Sequence, residues 1–150
     1  MSLQEKVMTE IKAAMKAKDS VALESLRAIK SAILITQTDK GADSELSEED
    51  EIKLIQKLVK QRKDSASIFN EQGRSDLAEP ELAQVAVIEK FLPAQLTEEE
   101  IEKVVVKTIT TMKASGMQDM GKVMGAVSKE LAGQADGKTI STIVKNKLSS

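Results

Sequence analysis

The chain has 150 residues, 41% hydrophobic and 31% charged, with 22 Lys and Arg against 24 Asp and Glu. It contains no Cys, His, Trp or Tyr and only two Phe, Phe69 and Phe91. These absences exclude a disulfide framework, a Cys/His zinc site, a His general base, a Cys nucleophile and an aromatic platform for stacking bases. No metal and no cofactor is therefore expected. The first residues alternate charged and apolar side chains without a continuous apolar run. No signal segment and no membrane span are expected, and with no Cys the chain is placed in the cytoplasm.

Apolar residues recur at helical spacing between sparse Gly and Pro. Leu3, Val7, Ile11 and Ala14/Met15 form the first stripe. Lys18 and Asp19 interrupt it, and Asp19 or Ser20 opens a second helix with Leu23, Leu26, Ile29/Ala32 and Ile33 inward. Gly41 stops that helix, and a polar loop is predicted over 41–46. Ser47 followed by four acids, Glu48 to Glu51, starts a third helix, because those charges face the positive end of its dipole. Its stripe runs through Ile52, Ile55, Leu58/Val59, Ala66 and Phe69, and it ends near 70–73. A fourth helix is predicted over 76–91 with Leu82, Val85, Ile88 and Phe91/Leu92 inside. Pro80 either sets its start near 78–80 or kinks it, and Leu92-Pro93 ends it.

Thr97-Glu98-Glu99-Glu100 is a capping box. Ile101, Val104/Val105, Thr108 and Met112 follow at helical spacing, so the β-branched run 104–111 is read as helix rather than strand. Gly116 breaks that helix. Asp119 caps the next, with Met120, Val123/Met124, Val127 and Leu131 inward. Gly133 stops it, and Asp136 caps the last, with Ile140, Ile143/Val144 and Leu148 inward. The chain is thus expected to be all-α: a four-helix N-terminal domain over 1–93, then a small three-helix C-terminal domain over 94–150.

Charge is unevenly spread. Residues 1–93 carry 14 Lys and Arg against 17 Asp and Glu, whereas residues 103–150 carry eight Lys against Asp119, Glu130 and Asp136. The outer surface of the last two helices should be basic through Lys122, Lys129, Lys138, Lys145 and Lys147. Lys53, Lys57, Lys60, Arg62 and Lys63 form a second cluster on the third helix. Each cluster reads either as a surface that tracks phosphates or as a solvated helix face.

Other motifs resolve more simply. The acids Glu48 to Glu51 fan around a helix start that repels cations, which favours dipole compensation over a metal site. Gly116 to Lys122 matches the first seven P-loop positions, but Val123 stands where that loop needs a hydroxyl. Gly121 and Gly125 cost a helix about 1 kcal/mol each relative to Ala, so their one-turn spacing implies a close approach, by a crossing helix or by a partner. Gly133 to Lys138 is a turn between helices. It reads either as a plain C-cap Gly and N-cap Asp or, functionally, as free N–H groups beside Lys138 of the kind that bind phosphate oxygens, and the plain turn is preferred. Met120 and Met124 read as core filler, and Arg62, Arg74 and Asp76 as a buried or interdomain ion pair.

Five segments carry a resemblance: R-K-D-S (Arg62–Ser65), G-R-S-D-L-A (Gly73–Ala78), F-L-P-A-Q-L (Phe91–Leu96), M-G-K-V-M-G-A-V (Met120–Val127) and G-Q-A-D-G (Gly133–Gly137). Over essentially its whole length the chain resembles the YqeY family, small proteins related to the tail domain of GatB. Phe91 stands where that family usually has Tyr, and Pro80 falls in a stretch that is normally continuous helix. The resemblance implies an all-α, two-part fold and a link to tRNA, which the GatB tail contacts. A similar module is appended to some glutaminyl-tRNA synthetases. Carried across, the nucleic-acid contacts are Lys122, Gly125, Gly133, Gly137, Lys138 and Lys145, and the partners are tRNA and enzymes of tRNA amidation or aminoacylation. The resemblance also implies carbon–nitrogen ligase activity with glutamine as amido-N-donor. No amidase core or nucleotide site is visible in the residues, so no catalytic residue is expected and an accessory role is preferred. A protein-interaction module docking through the Gly121/Gly125 face is the remaining alternative.

Overall fold

A computed structural model describes residues 2–41 and 45–149. Among them are seven α-helices and no strand: α1 (Leu3–Ala17), α2 (Ser20–Lys40), α3 (Glu48–Glu71), α4 (Ser75–Ile88), α5 (Glu98–Met112), α6 (Met120–Glu130) and α7 (Gly137–Leu148). The chain is all-α, and it divides into two compact units, Met1–Leu92 and Pro93–Ser150.

In the first unit the helix starts are built by hydroxyl and carboxylate caps. Ser2 and Glu5 form a capping box on α1, and Ser47 and Asp50 form another on α3. Asp19 caps α2 by accepting from the Ala22 N–H at 3.1 Å. The stop of α1 uses a non-glycine residue. Lys18 is left-handed (φ 56°), with Lys18 N–H donating to the Met15 carbonyl and Asp19 N–H to that of Ala14. This reversal closes the last carbonyls of the helix at a backbone angle that costs a side chain energy. Gly41 ends α2 at φ 108°. Residues 42–44 of the expected 41–46 loop lie outside the described residues.

The first core joins Leu3, Val7, Ala14, Leu26, Ile29, Ile33, Leu54, Ile55, Val59, Val85 and Ile88. α1 packs on α2, and α4 packs on both α2 and α3. The Leu3 N–H at the start of α1 donates to Glu51 Oε1 at 3.2 Å, which ties that start to the first turn of α3.

Four expectations need correction here. Met15 is 58% exposed, because its neighbour Ala14, about a hundred degrees around the helix, takes the buried place. α4 begins at Ser75, within one residue of the expected 76, so of the two readings of Pro80 the later start is not taken; Pro80 sits in the second turn, where the missing N–H leaves the Asp76 carbonyl without its helical donor. The same helix ends at Ile88, and Glu89–Phe91 tightens into a 3₁₀ turn. Leu82 is 46% exposed. The buried arc of α4 is turned toward Gln84, whose Oε1 accepts from Arg62 Nε at 2.8 Å, and Leu82 is left at its edge. Arg62 thus binds an amide and the Leu58 carbonyl, while Arg74 and Asp76 form an exposed bidentate pair, so the three do not make a buried ion pair.

In the second unit Thr97 and Glu100 form the expected capping box on α5. The β-branched run stays helical with two threonines bonded back to the preceding turn: Thr108 Oγ1 donates to the Val104 carbonyl at 2.8 Å and Thr110 Oγ1 to that of Val106 at 2.9 Å. α5 stops at Lys113 (φ 54°), three residues before the expected break at Gly116. Met112, in its final turn, is 40% exposed rather than packed. The second core is wholly aliphatic: Ile101, Val105, Val123, Val127, Leu131, Ala135, Ile140, Val144 and Leu148.

Replacing Lys18 by Gly removes a side chain from a left-handed position. Urea titration of Lys18→Gly is expected to show a gain of about 0.5–1 kcal/mol. The Lys40 ammonium bonds the Asp50 carboxylate, and this bond, followed by that from Ser47, holds its pKa below the ordinary value. A carboxylate depressed in the fold adds stability above its unfolded pKa and loses it as pH falls through its folded one. Urea midpoints taken stepwise from neutral pH into the acid range should therefore drop further for the wild type than for Asp50→Asn.

Candidate nucleic-acid interface on the last two helices

α6 has two unlike faces. Val123 and Val127 are buried, with Met120 and Met124 half-buried against the same core, as expected of filler residues. Gly121, Lys122, Gly125, Ala126, Ser128, Lys129 and Glu130 are exposed. Lys122, Gly125, Ala126 and Lys129 fall at i, i+3, i+4 and i+7, so they line one strip. The crossing helix expected over Gly121 and Gly125 is not there: a Cβ placed on either would meet no described atom within 4 Å. Their bare backbone faces open space.

The start of α6 also differs from expectation. Asp119 occupies the cap position without capping; its Oδ2 instead accepts from the Ser115 N–H at 2.8 Å, closing the bend through Gly116 (φ 72°). Gly116 to Lys122 is therefore a 3₁₀ turn running into a helix, preceded by helix α5, with no strand of the kind a P-loop requires.

Between α6 and α7 the chain reverses through Gly133 (φ 79°). Gly133 is buried, and its carbonyl accepts from Gln95 Nε2 at 2.6 Å. The Gln134 N–H donates to the Leu131 carbonyl at 2.8 Å, and the Gln134 carbonyl accepts from the Leu96 N–H at 2.9 Å. Asp136 then caps α7 as expected, with Oδ1 accepting from the Thr139 N–H at 2.7 Å. The N–H groups of Gly137 and Lys138 have no acceptor among the described residues. They point out of the first turn of α7, where the helix dipole favours an anion. Gly137 is exposed and has no described atom within 4 Å of a Cβ placed on it.

Lys138 and Lys145 are exposed on α7 at i and i+7, with Thr142 between them. Among the described residues, none of Lys122, Lys129, Lys138 and Lys145 forms an ion pair; Lys147 differs, pairing with Glu102 at 2.6 Å. The cluster on α3 is built the opposite way. Lys53 pairs with Glu49 at 2.7 Å, Lys60 with Asp64 at 3.4 Å and Lys63 with Glu89 at 3.1 Å. The Glu49 contact also raises the Lys53 pKa. On α3 the solvated-face reading holds. Lys122 and Lys129 on α6 and Lys138 and Lys145 on α7 stand without an ion pair among the described residues, beside the open backbone of Gly125 and Gly137.

Of the residues singled out from the sequence, Lys122, Gly125, Gly137, Lys138 and Lys145 are all exposed on the second unit, and Gly133 is an interior turn residue. Gln95 carries a contact that spacing did not signal, because its partner lies 38 residues away. Its only mark in the sequence was its place in the segment Phe91–Leu96. Among the described residues no group of three or more Asp and Glu could hold a metal ion, and no helix is long and apolar enough to cross a membrane.

Residues 4–148 match the family described as Yqey-like protein, and the chain belongs to this YqeY family. "Altered inheritance of mitochondria protein 41, mitochondrial" of Clavispora lusitaniae is 32% identical over 132 residues, which cover 87% of this chain and 74% of that protein. A glutamyl-tRNA(Gln) amidotransferase subunit of Thermococcus gammatolerans is 35% identical over 104 residues, 67% of this chain and 17% of its own length. The corresponding protein of Thermococcus sibiricus is 31% identical over 117 residues, 73% of this chain and 19% of its own length. The match thus spans less than a fifth of either archaeal protein.

Since no described residue packs on Gly125, Gly125→Ala should gain helix propensity without a clash. The expected stabilisation in urea is about 1 kcal/mol.

Proposed function

We propose that the chain is a tRNA-binding accessory module associated with tRNA amidation. In this reading residues 1–93 form a four-helix N-terminal domain and residues 94–150 a three-helix C-terminal domain that makes the RNA contact. Lys122, Lys138 and Lys145 neutralise phosphates. Gly125 and Gly137 let the sugar–phosphate backbone come close, and Gly133 shapes the turn that presents Gly137. Recognition is by backbone position and shape, because the second unit offers no aromatic side chain on which a base could stack.

The observation that carries this reading is the contrast between the two lysine clusters. On α3 Lys53, Lys60 and Lys63 are paired with carboxylates, whereas Lys122 and Lys129 on α6 and Lys138 and Lys145 on α7 form no ion pair among the described residues. Ammonium groups left without counter-ions beside two unused N–H groups suit a polyanion. The likeness to the two archaeal amidotransferase proteins names tRNA amidation as the setting. Amidotransferase is in the name of those longer proteins, and ligase activity is not part of the proposal. The cytoplasmic placement rests on the sequence alone. The fungal relatives bear mitochondrial names, and both compartments contain tRNA.

Titration of the purified chain with tRNA at several salt concentrations tests the proposal. Affinity should fall linearly on a log–log plot, and Lys122→Ala should reduce the slope by about 1. The stabilised Gly125→Ala variant should bind more weakly than the wild type, which separates function from folding. Absence of any salt-sensitive complex at low ionic strength overturns the reading. The open Gly121/Gly125 face would also accept a helix of a partner protein. Salt-insensitive association that Gly125→Ala abolishes would favour that alternative.

A further inference from the structure

The α6–α7 reversal is held from outside its own sequence. Gln95 places its side-chain amide between two carbonyl oxygens, donating from Nε2 to Pro93 at 2.9 Å and to Gly133 at 2.6 Å. Only the NH₂ end of an amide can satisfy two acceptors at once, so its orientation is fixed by the contacts. One residue further on, the Leu96 N–H donates to the Gln134 carbonyl at 2.9 Å, and the Leu96 side chain is half-buried against the second core. Residues 93–96 therefore lie along the reversal as a strap with two hydrogen bonds to it and one apolar anchor. Within the reversal itself Gly133 is left-handed, the Gln134 N–H bond to Leu131 closes a single turn, and Leu131 and Ala135 anchor its two sides in the core; the Gly133 and Gln134 carbonyls are met by the strap.

We infer that the strap Pro93–Leu96, through Gln95, is a positioning element for the RNA contact. It fixes the Gly133 turn and with it the direction in which Gly137 and Lys138 are presented. Gln95 acts through the backbone and touches no phosphate. This inference rests on the proposed function for its RNA part and on geometry alone for its structural part. A glutamine here is specific in chemistry. Glutamate of the same length would set a carboxylate oxygen against two carbonyl oxygens, and a methionine would leave the Gly133 carbonyl unpaired.

The test compares full-length wild type, Gln95→Met and Lys138→Ala by amide hydrogen exchange and by tRNA titration over salt. In Gln95→Met the Leu96 and Gln134 amides should exchange about fivefold faster, as expected for the loss of the one side-chain hydrogen bond that joins the strap to the turn. Its tRNA affinity should fall by a similar factor with the salt slope unchanged, because no cation is lost. Lys138→Ala should instead lower the slope by about 1 and leave both exchange rates as they were. Unchanged exchange in Gln95→Met overturns the strap. Faster exchange with wild-type affinity overturns its positioning role. If the wild type forms no salt-sensitive complex, the functional reading fails, and the exchange rates alone still decide whether the strap holds the turn.

Discussion

Buried backbone polar groups must be paired, and the short reversal between α6 and α7 meets that constraint unevenly. Its carbonyls are satisfied from within the chain: Gln95 serves Gly133, and Leu96 serves Gln134. The Asp136 side chain takes one N–H at the start of α7. The N–H groups left over, those of Gly137 and Lys138, are the ones that face outward. One side of the turn is thereby closed and rigid, and the other is electropositive and open. The presentation of Lys138 follows from that division, while the placement of α7 on α6 rests on the aliphatic core beneath them.

The arrangement of charge matters more than its amount. α3 holds as dense a run of lysines as any part of the chain, yet carboxylates on its own turns and on Glu89 pair with Lys53, Lys60 and Lys63. Exposed pairs of this kind add little to stability and are screened by salt, but they offset the charge of the lysines they engage. On α6 and α7 the acids are used differently. Asp119 and Asp136 bond to backbone N–H groups, and the neighbouring lysines stay uncompensated.

Helix starts were the most legible part of the sequence. Ser47, Thr97, Asp19 and Asp136 each act over three residues, and local chemistry suffices to foresee them. Helix stops were harder to read. Lys18 and Lys113 take left-handed angles that glycine would suit better, and nothing in a lysine announces this. Periodicity located the cores but not their edges: Met15 and Leu82 have the right spacing and lie outside the buried arc. Gly121 and Gly125 were rightly marked as unusual, while the helix expected to cover them is absent because packing in this unit uses the opposite, valine-lined face of α6. Arg62–Gln84 and Gln95–Gly133 are long-range pairs between polar side chains or backbone, and a single sequence contains no pattern that joins them. The lysines and glycines of the last two helices were visible by composition and motif, whereas the lack of counter-ions around them is a property of the folded surface.

Both phenylalanines fall before Pro93, and the second unit contains no aromatic ring of any kind. The two halves of the chain are consequently distinguishable by light. Near-ultraviolet dichroism and phenylalanine absorbance report residues 1–92 alone, whereas amide dichroism in the far ultraviolet reports every helix. Coincident melting by the two probes would mean that the halves unfold as one cooperative body, and separated transitions would resolve each half without labels or truncation.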